Sequence, residues 1–154
     1  MTALQHEALG TIEYDPTDEE SEWSADIPWL SATIEVSLTF DGTAMDQPTL
    51  DRLARYVVDL AAFDRDARAA MRADADREES TVRHYLEHHR DGSDVSVEAF
   101  VGALRLGAVN LYAGTEISEH EAVFDYSIDP GSTQYLLAVG FDADGRVDCV
   151  DFES

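Results

Sequence analysis

The sequence predicts an α+β fold: a mainly antiparallel sheet built from N-terminal and C-terminal strands, with about three central helices packed on one face. Three observations carry this. From Leu30 to Phe40 apolar and polar residues alternate six times in succession, which sets one strand face on a core and the other in water. From Leu50 to Leu104 apolar residues recur at helical spacing. From Val109 to Phe152 short alternating runs return, split by glycine and aspartate turns. Strands, then helices, then strands is the segregated order of an α+β domain. The 154 residues fit a single domain, 1–154. A hydrophobic fraction of 44% is enough to build a core and too high for a disordered chain.

Leu9 to Tyr14 is a short strand, and the acidic run Asp15 to Glu22, broken by Pro16 and Thr17, is a solvated loop. Trp23, Ala25 and Ile27 alternate as a second strand, ended by Pro28. In the third strand Leu30, Ala32, Ile34, Val36, Leu38 and Phe40 face inward, with Ser31, Thr33, Glu35, Ser37 and Thr39 opposite; Asp41-Gly42 stops it. Pro48-Thr49 starts a helix carried by Leu50, Leu53, Val57 and Leu60 and continued by Phe63, Ala67 and Met71, with a bend near Asp64. Ser80 or Thr81 caps the next helix, whose inward stripe is Val82, Tyr85, Leu86 and His89 and which Asp91-Gly92 ends. Ser96 caps a third, with Val97, Phe100, Val101 and Leu104, closed by Gly107. Then come strands at Val109–Tyr112, at Val123–Ile128 with Asp125 and Ser127 outward, and at Tyr135–Phe141, apolar on both faces as a central strand is. Asp144-Gly145 is a hairpin turn that returns Arg146–Phe152 antiparallel.

Charge is the least ordinary feature. Ten basic residues, all arginine, stand against 33 acidic ones, for a net charge of −23. No basic patch can form, so nucleic-acid phosphates and anionic membrane surfaces are excluded as direct partners. Such acidity keeps a protein soluble in a salty interior, or steers a basic protein partner to it. No run approaches the roughly 18 apolar residues of a membrane span, MTALQHEALG has neither part of a secretory signal, and the lone Cys149 suits a reducing compartment. A cytoplasmic location follows as the expectation.

No cofactor loop or nucleophile elbow is present, so no cofactor is expected and no catalytic residue is assigned. His84, Glu87 and His88 share one face of the second helix. Two histidines four apart can grip a metal, but this face opposes the apolar stripe and lacks a third fixed ligand. Asp142 to Asp148 has a calcium loop's composition without its spacing, and reads as a turn. Cys149 reads as a packed residue with no histidine near in sequence to activate it. The surface with the strongest claim to a partner is the polar sheet face formed by Thr33, Glu35, Ser37, Thr39, Asp125 and Ser127, with Trp29 at an edge.

The stretches Ala122–Asp129, Tyr135–Asp142 and Asp144–Asp148, with the helical Arg83–His89, resemble a bacterial family classed as a domain of unknown function. That resemblance implies no activity and no site residue. In size and charge the chain is also similar to immunity proteins of bacterial toxin systems. The expectation is a non-enzymatic acidic protein-binding module, immunity-like or regulatory. The alternative is a carboxylate- or metal-dependent hydrolase using the His84/Glu87/His88 face. Homo-oligomers through an edge strand stay open.

Overall fold

The computed structural model describes residues 1–89, 96–114, 116–128 and 136–153, with only the backbone for 87–89. The fold is α+β. Two N-terminal strands, β1 (Thr2–His6) and β2 (Gly10–Tyr14), form a hairpin of their own. Six more make one sheet in the order β3-β4-β5-β6-β7-β8: β3 (Ser21–Trp29), β4 (Ala32–Phe40), β5 (Arg105–Ala113), β6 (Ala122–Ser127), β7 (Leu136–Phe141) and β8 (Val147–Glu153). Every pairing is antiparallel except β4 with β5. A parallel pair needs a crossover, and here it consists of α1 (Gln47–Val58), α2 (Leu60–Asp74), α3 (Thr81–His89) and α4 (Val97–Ala103).

The alternation in β4 works as expected from Ile34 onward: Ile34, Val36, Leu38 and Phe40 are all buried. They meet Val109 and Leu111 of β5, Phe124 and Tyr126 of β6, and Val139 and Phe141 of β7 in one core. Helices cover this face at the β5–β8 half, and the β1–β2 hairpin joins them beside β4, where the Tyr14 ring stands edge-on to Phe40 at 5.2 Å.

Several boundaries differ from the sequence reading, each for a physical reason. The chain forms a strand at β1, before the first expected one; Leu4 packs on the core beside a helix whose Gln47 amide donates to the Gln5 carbonyl. Pro28 lies inside β3, since β3 is an edge strand and an edge residue needs no outward N–H. Leu30 belongs to the β3–β4 turn with φ +55°, 84% exposed, and Ala32 beside it is exposed too. The helix break falls at Asp59, which closes α1 by donating its N–H to the Arg55 carbonyl and opens α2 by accepting from Ala62. Asp64 sits inside α2, accepting from Arg68 and, at 2.7 Å, from the Tyr126 hydroxyl. Gly107 lies at a bulge in β5, while α4 ends at Ala103. The caps at Ser80 and Ser96 and the turn at Gly145 stand as expected. The inward placement of His89, the Asp91-Gly92 stop and Tyr135 fall outside what is described.

The first helix of the crossover is fixed to the sheet by a buried carboxylate. Glu121, just before β6, accepts from Arg55 at 2.7 Å and Tyr56 at 3.1 Å on one oxygen, and faces Arg52 at 3.1 Å with the other. Burial, with the neighbouring carboxylate opposing ionisation, pushes the Tyr56 hydroxyl up to about 12, so it serves as a donor at every working pH. Glu121→Gln keeps the shape and removes the charge. Both arginines are a third to a half exposed and can turn to water, so the expected loss is about 2 kcal/mol, below the full cost of breaking an enclosed pair. Urea unfolding at neutral pH checks it; an unchanged midpoint would show the clamp to be idle.

Candidate functional site

The face of the sheet turned away from the helices carries the polar alternation. Register lays its residues in rows across the strands. One row is Ser24, Ser37, Asn110, Val123, Gly140 and Cys149; its neighbour is Asp26, Glu35, Ala108, Asp125, Ala138 and Asp151. Thr33, Glu35, Ser37, Thr39, Asp125 and Ser127 do share this face, but they do not share an environment. Thr33 and Glu35 are exposed, Ser37 and Thr39 half-buried, and Ser127 buried. Alternation decides which way a side chain points, not what lies around it, and β6 is an inner strand while β4 stands beside the edge. Among those six, the accessible residues are therefore Thr33 and Glu35, at the β3–β4 end of the face.

Farther in, the face closes over a polar chain. Ser37 donates to the Asn110 amide oxygen at 3.0 Å, and the Asn110 nitrogen donates to Asp125 at 2.9 Å and to the Val123 carbonyl at 3.2 Å. The second Asp125 oxygen is buried without a hydrogen-bond partner. Burial pushes the Asp125 carboxyl up to about 6, against the Asn110 bond and with help from the charge of Glu153.

Charge is segregated across the fold. Residues 1–51 carry twelve carboxylates and no lysine or arginine. Seven of the ten arginines lie between Arg52 and Arg83, in or next to the helices. There Arg52, Arg55, Arg68, Arg72 and Arg77 each face a carboxylate within 3.4 Å, and Arg83 donates to the Ala75 carbonyl. The arginines thus offset most of the acid of the helical segment, while the first 51 residues carry their acid with no arginine or lysine among them. A cleft of about 870 Å³ opens at one end of this half, lined by Asp18, Glu19, Glu20, Asp41 and Glu116 with Arg52 at its side. Gly42 lies at this end, under the Asp15 and Asp18 carbonyls, with no room for a side chain.

His84 is exposed on α3, its ring 4.9 Å from that of Phe152 beside a depression of about 450 Å³. The side chains of Glu87 and His88 lie outside the described residues, so the metal grip has one placed member. At the opposite edge Cys149 has a histidine after all: His120 Nε2 is 3.4 Å from its sulfur. The two are 29 residues apart, which no local pattern reveals. Burial, a hydrogen bond to Asp151 and the nearby acids push the thiol up to about 11, so a free thiolate nucleophile is disfavoured.

No family model, curated protein or solved structure matches the chain. Among the described residues, no helix is long and apolar enough to cross a membrane.

The raised Asp125 value has a definite sign. The carboxyl ordinarily titrates near 4; in the fold its charged form is disfavoured. Its contribution to stability is therefore greatest below about pH 4 and is lost as pH rises through about 6. Between pH 7 and pH 5 the protein should gain about 1 kcal/mol that an Asp125→Asn variant does not gain. Paired urea titrations isolate this from the general relief of acid repulsion; equal gains would place Asp125 at an ordinary value.

Proposed function

We propose that the protein is a non-enzymatic binding module that holds a basic protein partner against its β3–β4 half. The segregation of charge carries this reading: every arginine lies beyond residue 51, while residues 1–51, which include β3 and β4, hold twelve carboxylates. A field of one sign steers an oppositely charged partner and sets its orientation. The exposed edge of this half presents Glu22, Asp26, Thr33 and Glu35, with the acidic cleft at its far end.

The hairpin tip adds an apolar anchor. Leu30 is 84% exposed and holds φ +55°, a conformation that costs a branched side chain roughly 1 kcal/mol and that glycine or asparagine adopts with less strain. An exposed leucine kept in a strained turn, with the Asp26–Glu35 pair farther along the same two strands, matches the makeup of an interface, an apolar centre with a polar rim. An immunity-like or regulatory protein that masks a basic partner is one instance of this class.

Leu30→Asn separates binding from stability. It should stabilise the isolated protein by about 0.5–1 kcal/mol through relief of the turn, and weaken the complex. If partner affinity is untouched, Leu30 is no anchor. The charge is tested by affinity capture from the native lysate after nuclease treatment, with wild type and a Glu22→Gln/Asp26→Asn/Glu35→Gln variant. A single basic protein should be held by wild type at about 50 mM salt, released by about 500 mM, and lost at low salt with the variant. Equal retention by the variant, or an empty capture at both salts, overturns the reading.

A further inference from the structure

The geometry points to a binding site for a borderline-soft divalent cation of the zinc class, anchored by Cys149 and His120 at the β7–β8 edge of the sheet. This site is separate from the acidic β3–β4 half and does not depend on its role.

Three features of the fold bring the anchors together. Gly140 of β7 is the cross-strand partner of Cys149, and its missing side chain is what makes the space. A Cβ there would stand 2.9 Å from the Cys149 sulfur and 3.0 Å from the His120 ring. A bulge opposite Gly140 and Phe141 inserts one extra residue, Asp148, beside Cys149, and such bulges re-aim side chains. His120 is delivered by the loop before β6, held by its N–H to Ser118 and by the Glu121 N–H to the Phe141 carbonyl. Its side chain is only 13% exposed, so the ring is fixed by packing.

The resulting distances fit a tetrahedral metal shell. His120 Nε2 lies 3.4 Å from the Cys149 sulfur and 3.5 Å from a Glu119 oxygen, and the sulfur lies 3.4 Å from an Asp151 oxygen. A tetrahedral zinc with sulfur at 2.3 Å and nitrogen near 2.0 Å separates those two ligands by about 3.5 Å. The other ring nitrogen, Nδ1, is buried without a hydrogen-bond partner and sits 3.4 Å from Asp148. A carboxylate hydrogen-bonded to the far nitrogen is the usual support of a metal-bound histidine, and Asp148 stands close enough to take that place once the ring is bound. The acidic surroundings, which disfavour a bare thiolate, favour a divalent cation that takes the place of the thiol's proton on the sulfur: the S–H bond breaks, a sulfur–metal bond forms, and the proton is released to water. Among the described residues, no three donors already meet around one point. Closure needs rotation of Glu119, 88% exposed, and of Asp151, also exposed, onto the fixed sulfur–nitrogen pair.

Cobalt(II) is the direct probe, used on full-length, untagged, reduced protein. One equivalent should bind with a thiolate-to-cobalt charge-transfer absorption, and zinc should displace it. Cys149→Ser should abolish the band, while His120→Ala and Gly140→Ala should each weaken binding at least tenfold, with circular dichroism confirming the fold. No band in folded wild type at excess cobalt overturns the site. So does a band unaltered in His120→Ala, or displacement of cobalt by calcium as readily as by zinc, which would reduce the binding to the general acidity of the surface.

Discussion

Glu121 is the interaction on which the architecture turns. The β4–β5 pair is parallel, so the chain between them must leave the sheet and return, and everything from α1 to α4 lies on that excursion. Its first helix is secured where Arg52, Arg55 and Tyr56 meet the one carboxylate. The backbone of the same residue ties two strands together: its carbonyl accepts from Tyr112 of β5 and its N–H donates to Phe141 of β7. A charge so enclosed is costly unless fully paired. Here the pairing comes from residues that are neighbours only if helix and sheet are correctly docked, so Glu121 favours that docking over alternatives.

The same economy governs the remaining charge. Asp64 holds Arg68 and Tyr126, and Asp74 accepts from Ser80 and the Val82 N–H at the start of α3. These carboxylates serve as caps and clamps within the helical layer and its contact with the sheet. Because the arginines are consumed there, the β1–β4 half is left with uncompensated acid. Its strands nonetheless form, since the inner residues of β4 bury fully in the common core and those of β1 and β3 pack against it, while their carboxylates stand in water, where repulsion is screened beyond about 10 Å.

The fold was largely legible in the sequence because period is local. Ile34 to Phe40 announces its own inward face, and Ser96 and Asp144-Gly145 mark their own boundaries. What escaped was decided elsewhere in the chain. Pro28 looks like a strand end until β3 is known to be an edge. Gly107 looks like a helix stop until β5 is known to bulge. Ser127 points away from the helices as its alternation says, yet it is buried, since exposure depends on the strands around it. The site was less legible still. The charge segregation could have been read by plotting arginine positions, but the approach of His120 to Cys149 depends on β6 and β8 flanking β7, and on Gly140 between them, which no spacing rule encodes.

Two edges of one sheet thus carry opposite kinds of chemistry. At β3 the donors are diffuse, flexible carboxylates with no fixed partner geometry, suited to attracting a large cation-rich surface whose contacts can adjust. At β8 a packed imidazole and a thiol stand at a set distance with a carboxylate behind them, suited to a small ion that demands defined geometry. The difference follows from burial. A carboxylate in water keeps its rotamers and selects only for charge, whereas the His120 ring, held by packing, selects for distance. Crowding at Gly140 therefore acts on that set distance, whereas charge changes on the β3 edge act only on the field.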